Sequence, residues 1–269
     1  MQINSENVST SKYLPICLLI IGLIIVISNF FGKDVAKAMS DLLYAPVAGT
    51  TVILSLILAT RFRAKGDHGK AWVIFSAFVA CWFVAEQLWM LYELVYNEDP
   101  FPSYADVFYL SGYGFYLAFS FLYLRPVKTA ISKKILIAAC LISLTFTIPV
   151  LYLSIDLNSE MSIFDNVLAA SYPIADAIVF VPAIIGMVLF FKGEVNFLWS
   201  LMCVAIVFNV VADTGFLIMT IDDAYYSGSP LDILYLWSYC LFSFGVYSHI
   251  KIFRTHSDKK RYFDLEDLR

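Results

Sequence analysis

Eight stretches of the chain are apolar over the full length of a membrane-crossing helix, and this leaves few folds open. They cover about residues 13–32, 43–60, 71–96, 105–124, 135–154, 171–191, 196–220 and 231–250. A helix needs about 20 mostly apolar residues to cross the hydrocarbon core. A membrane β-barrel instead alternates with period two over strands of about 10 residues. Runs such as Ile16-Cys17-Leu18-Leu19-Ile20-Ile21 do not alternate, so helices are predicted. Only 15% of the 269 residues are charged and 60% are hydrophobic, which excludes an ordinary soluble domain or a disordered chain. The predicted fold is an all-α integral membrane protein. Its eight-helix domain spans 13–250, after a short segment 1–12 and before a tail 251–269. Ala36-Lys37-Ala38 has the small-x-small look of a signal-peptide cleavage site. The apolar run before it exceeds the 7–15 residues of such a peptide and lacks a positive cluster ahead of it, so the first helix is expected to be retained.

Orientation follows from the basic residues. Sixteen of the 18 Lys and Arg fall on the side that holds both termini, and only Lys33 and Lys37 fall on the other. Loops 97–104, 155–170 and 221–230 carry acids and no Lys or Arg. The positive-inside rule then puts both termini in the cytoplasm of a plasma-membrane protein and these loops outside. The net charge of −4 gives no basic field for nucleic acid. All five Cys lie within apolar stretches without C-x-x-C spacing, which suits small packing residues better than disulfides or zinc. His68, in a loop, His249, at the end of the last span, and His256, in the tail, cannot build a multi-histidine metal or haem site inside the membrane. There is no mid-span Lys, no G-x-S-x-G and no Walker-type loop, so neither a metal nor a cofactor is expected.

The chain repeats itself. Asp106-Val107-Phe108-Tyr109-Leu110-Ser111-Gly112-Tyr113 and Asp232-Ile233-Leu234-Tyr235-Leu236-Trp237-Ser238-Tyr239 both read D-x-x-Y-L-x-x-Y. Ala85-Glu86 precedes the first copy by 20 residues, and Ala212-Asp213 precedes the second by 19. Regions 71–124 and 196–250 therefore read as two copies of one helical hairpin, related by an axis close to the membrane normal. Tyr172-Pro173-Ile174-Ala175-Asp176 and Asp41-Leu42-Leu43-Tyr44 echo the pattern at the starts of spans 6 and 2. Asp106, Asp176 and Asp232 are expected at helix N-termini. A carboxylate there can cap backbone N–H groups, and it can also line the mouth of an outward-facing pocket.

Glu86 and Asp213 fall deeper. Glu86 lies 11 residues before Asn97 and Asp213 nine before Asp222. At 1.5 Å per residue both are roughly 13–16 Å below the outer end, near the midplane. A charge there costs at least about 2.5–3.5 kcal/mol on insertion scales and marks a candidate functional site. Helical spacing gives Glu86 the neighbours Trp82, Trp89 and Glu93, and gives Asp213 the neighbour Asn209. The candidate ligand site is therefore Glu86, Trp89, Asn209 and Asp213, with Asp106, Asp176 and Asp232 at its mouth and Tyr109 and Tyr235 in its aromatic walls. Interhelical packing by hydrogen-bonded acids is the competing role, and acid-base catalysis a third.

These segments resemble a multi-pass module at the N-terminus of bacterial and archaeal signalling proteins whose outputs are diguanylate cyclases, phosphodiesterases or histidine kinases. The resemblance covers about residues 80–245. It rests on Glu86 with Trp89, on Pro102-Ser103-Tyr104-Ala105-Asp106 through Leu110, on Ala169 to Asp176, and on Asp213 through Asp232. Ala85 stands where that pattern often has Gly, and the resemblance extends to no output domain here. It implies a non-catalytic sensor or accessory subunit, lodged in the lipid bilayer and acting through a separate signalling partner. A second resemblance, to lysoplasmalogenase-type membrane hydrolases, implies lipid hydrolysis. It departs where Tyr109 and Tyr113 stand in place of a His. A small proton-coupled transporter is the remaining expectation, since midplane acids and repeats suit it.

Overall fold

The structure is a computed structural model that describes residues 5–156, 162–190, 194–221 and 224–266. It is all-α, with eight helices long and apolar enough to cross a membrane and no strand among the described residues. The helices are α1 (Ser5–Asn29), α2 (Lys33–Phe62), α3 (Gly66–Met90), α4 (Tyr104–Leu124), α5 (Lys133–Asp156), α6 (Ile163–Phe190), α7 (Glu194–Ile221) and α8 (Asp232–Glu266). Several run past the apolar stretches. α2 begins at Lys33, α6 at Ile163, and α8 continues to Glu266. Hydropathy marks only the part of a helix that lies in hydrocarbon. Lys, Arg and Glu extend helices readily beyond it.

The turns are built locally. Gly32 joins α1 to α2 at φ 106°, and Arg63 closes α2 in the left-handed region, its N–H donating to the Ala59 carbonyl. The last turn of α3 widens into a π-helix over Leu91–Tyr96 and stops at a left-handed Asn97. Ser103 and Asp106 then form a reciprocal capping box that starts α4. Pro15, Pro46, Pro149, Pro173 and Pro182 all lie inside helices.

Six helices close a ring in the order α2, α3, α4, α6, α7, α8, with α8 packing back on α2. α1 lies outside against α2 and α8, and α5 lies outside against α6. Exchanging α1–α4 with α5–α8 maps most of this packing onto itself. The pair α2/α3 becomes α6/α7, α3/α4 becomes α7/α8, and α2/α8 becomes α6/α4. Exposed Leu19, Ile53, Val107 and Ile137 present the outward faces that lipid requires.

The two ends of the ring differ. Toward the basic end its interior is filled by Trp72, Phe75, Phe78, Tyr116, Phe119 and Phe242, all fully buried. Phe242 of α8 meets Phe75 and Phe78 of α3 at centroid distances of 5.8 and 5.5 Å, so these rings tie the two halves together. Below them His68 sits in the first turn of α3 rather than in a loop. Its Nε2 accepts from Trp72 Nε1 at 3.2 Å and lies 3.3 Å from His249 Nε2. Toward the acidic end, where loops 97–103 and 224–231 lie, the ring is open inside.

Candidate functional site

A cavity of about 540 Å³ occupies the acidic half of the ring, and all nine candidate residues line it: Glu86, Trp89, Asp106, Tyr109, Asp176, Asn209, Asp213, Asp232 and Tyr235. Trp82, Tyr113, Tyr172 and Tyr225 complete its polar and aromatic wall, along with Asp41 and Tyr44 of α2.

The repeated D-x-x-Y-L-x-x-Y has a structural purpose at each marked position. Its Asp anchors the helix start. Asp106 accepts from Ser103 N–H at 2.7 Å and from the Tyr172 hydroxyl at 2.5 Å. Asp232 accepts from Gly228 N–H at 2.7 Å, Ser40 Oγ at 2.7 Å and the Tyr225 hydroxyl at 3.1 Å. Burial and the Asp232 carboxylate push the Tyr225 phenol well above its ordinary pKa, so it stays a donor. The first Tyr of each copy lies beside the acid of its own hairpin. Tyr235 donates to Asp213 Oδ1 at 2.7 Å, and Tyr109 lines the cavity with Glu86. The second Tyr reaches across the ring to the other acid. Tyr239 donates to Glu86 Oε1 at 2.8 Å, and Tyr113 lies 2.7 Å from Asp213 Oδ2. Asp213 is thus clasped by one tyrosine from each half, and Glu86 is held by Tyr239 of the other half.

The Asp213 side has one more acid. Tyr113 also lies 2.8 Å from Asp176 Oδ1, and Asn209 Nδ2 donates to Asp213 Oδ2 at 2.8 Å. A phenol has one proton to donate, so it cannot serve two carboxylates. It donates to one carboxyl and accepts from the other, which therefore carries a proton.

Two expectations are corrected. Asp176 does not lie at a helix N-terminus or at the mouth, because α6 begins at Ile163, 13 residues earlier. The residues between continue the helix, and Pro173 is absorbed within it. Asp176 is therefore carried down to the level of Asp213. Asp106 and Asp232 do sit at helix starts, yet each is only 2% exposed, so they form buried wall rather than an open rim. Trp89 lines the wall with its indole N–H already bonded to Glu93 at 3.0 Å and Ser227 at 3.2 Å. Glu93 in turn pairs with Lys37 at 3.1 Å.

Sequence reasoning did not place Asp41, Tyr113, Tyr172, Tyr225 or Tyr239 in the site. Tyr113 and Tyr239 carried a usable signal, as the final residues of the repeat. Tyr172 stood in the echo at the start of span 6 without pointing to its partner, and Tyr225 carried none, since their roles depend on how α6 and the 224–231 loop fold back.

No group of His, Cys, Asp and Glu among the described residues has the geometry of a metal site. The fold and its cavity define a multi-pass α-helical membrane protein whose two halves pack alike. Comparison with known families, curated proteins and solved structures finds no match to this chain.

Proposed function

We propose that the protein is a non-catalytic membrane sensor or accessory subunit. It binds a small or lipid-like ligand in the acidic-end cavity, open to the outside, and acts through a partner protein on the cytoplasmic side. The carrying observation is the convergence of nine residues, from five helices, on one cavity. The resemblance to sensor modules of signalling proteins adds to it. The aromatic packing of Trp72, Phe75, Phe78, Phe119 and Phe242 closes the interior below the cavity, which suits a receptor better than a through-path. A hydrolase fits less well, because His68 and His249 lie at the opposite end from the acids.

The test uses the full chain in its own membrane. Glu86→Gln should abolish the downstream response while leaving insertion and partner retention intact. Release of a headgroup or aldehyde from ether lipids by purified protein would contradict the reading, as would substrate-driven proton uptake in proteoliposomes. Orientation is checked with an impermeant thiol reagent. Ala224 and Ala64 are both exposed, whereas Ser227 is buried and unsuitable. Ala224→Cys should label from outside and Ala64→Cys should not, and the reverse would overturn the proposed topology.

A further inference from the structure

The cavity's hydrogen-bond inventory is lopsided. Its wall carries six carboxyl groups and, among the residues that line it, no Lys, Arg or His. The wall has also spent many of its donors on itself. The Trp82 indole donates to the Tyr109 carbonyl at 3.1 Å, and the Trp89 indole donates to Glu93 and Ser227. The phenols of Tyr172, Tyr225 and Tyr235 are committed to carboxyl groups, and so is the Asn209 amide. An anion entering this space would find few N–H or O–H groups to receive it. A cation would find carboxyl oxygens and aromatic faces.

Asp41 singles out where the cation would sit. It lies on α2, lines the cavity, and is only 3% exposed. Its Oδ2 has no hydrogen-bond partner. An orphaned buried carboxyl oxygen is costly and calls for a donor from outside the protein's own set. Lys37, one turn earlier on α2, is paired with Glu93 instead. The second half offers no equivalent of Asp41. In the register that matches Tyr44 of α2 to Tyr172 of α6, Asp41 falls opposite Ala169.

Resting on the reading of this cavity as a ligand site, we infer that its ligand is a protonated organic amine with at least one N–H. The ammonium donates to the Asp41 carboxylate, and the apolar body lies among Trp82, Trp89 and Phe216. The N–H requirement separates this class from quaternary ammonium compounds, which satisfy an aromatic cage and leave the oxygen unpaired. A volume of about 540 Å³ lies in the range that holds a molecule of a few rings.

The experiment measures binding of four indole probes to the purified full chain in nanodiscs, by thermal shift and calorimetry. The probes are tryptamine, its N,N,N-trimethyl derivative, the neutral alcohol tryptophol, and the anion indole-3-propionate. Tryptamine should bind, the trimethyl derivative should bind at least about tenfold more weakly, and the alcohol and the anion should not bind measurably. Asp41→Asn should weaken tryptamine by about tenfold or more. Ala169→Asp, which adds a second acid at the matching position, shows whether any acid in the wall suffices, and it should not rescue Asp41→Asn. Equal or tighter binding of indole-3-propionate or tryptophol would overturn the amine inference while leaving the ligand-site reading standing. Binding of no probe would overturn the amine inference too. A response that survives Glu86→Gln in the native membrane would remove the ligand-site reading itself. Unchanged tryptamine affinity in a folded Asp41→Asn protein would overturn the assignment of the anchor.

Discussion

Glu86 and Asp213 occupy matching positions in the two halves of the ring, and their surroundings have diverged. Each is held by a tyrosine from the other hairpin, and Asp213 also by Tyr235 of its own. Around Glu86 the remaining neighbours are indoles, with Trp82 one turn before it and Trp89 one turn after. Around Asp213 the same helical positions hold Asn209 and Phe216, and a second acid, Asp176, joins through Tyr113. The two halves thus share a cross-ring tyrosine on each acid, while Glu86 lies between indoles and Asp213 joins Asn209 and Asp176 in a hydrogen-bonded network. The shared contact is the part that packing demands, and the departures from it are where a specific chemistry is placed.

The contact most particular to the first half gives the largest expected effect. Trp82 fits only because Gly112 of α4 has no side chain, since a Cβ there would lie 2.3 Å from the indole ring. In the second half Asn209 and Ser238 take the corresponding places. Gly112→Ser should therefore destabilise the protein by about 2–3 kcal/mol through overpacking, because the indole is buried and held by the Tyr109 carbonyl. Adding Trp82→Asn, which imports the second-half pair, should recover at least about 1 kcal/mol. Thermal or detergent unfolding of the four proteins checks this. Additive losses would show that the two halves do not share the arrangement described.

The acids come next. Asp213→Ala removes the partner of Tyr235 and Tyr113 on other helices and of Asn209 on its own, whereas Glu86→Ala removes the partner of Tyr239. With interhelical hydrogen bonds in membranes worth about 0.6 kcal/mol each, Asp213→Ala should cost about 1.2 kcal/mol and Glu86→Ala about 0.6. Tyr239→Phe should be coupled to Glu86 by about 0.6 kcal/mol and not coupled to Asp213. Equal costs for the two acids, or coupling of Tyr239 to Asp213, would break the comparison.

Much of this arrangement could be read from the sequence, for identifiable reasons. Membrane-length apolar stretches register directly as helices, and the D-x-x-Y-L-x-x-Y pairs exposed the repeat because a local motif survives as a string. Glu86 and Asp213 stood out because few carboxyl groups fall so deep in apolar helices. The sequence could not show that α6 starts at Ile163, because residues 163–170 are too short and mixed to register as part of a span. That one boundary moves Asp176 from the mouth to the side of Asp213. Nor could it show that Tyr113 and Tyr239 cross the ring, since which helices face one another is set by closure of α8 onto α2, a contact between residues far apart in the chain. Asp41 was visible as the start of an echo of the repeat. Its importance lies in an oxygen left without a partner, which only the folded neighbourhood reveals.

The central claim is that the acidic half of the ring encloses a cavity open to the outside and selective for positive charge. Ala169 lines that cavity, is not itself charged, and lies on α6 away from the helix termini. The most direct measurement is the rate at which Ala169→Cys, in intact cells, reacts with two impermeant thiosulfonates of similar size, one carrying a trimethylammonium group and one a sulfonate. The account predicts reaction from outside, at least about tenfold faster with the cationic reagent than with the anionic one once their intrinsic reactivities are divided out. No labelling from outside, or equal normalised rates for the two reagents, would contradict it.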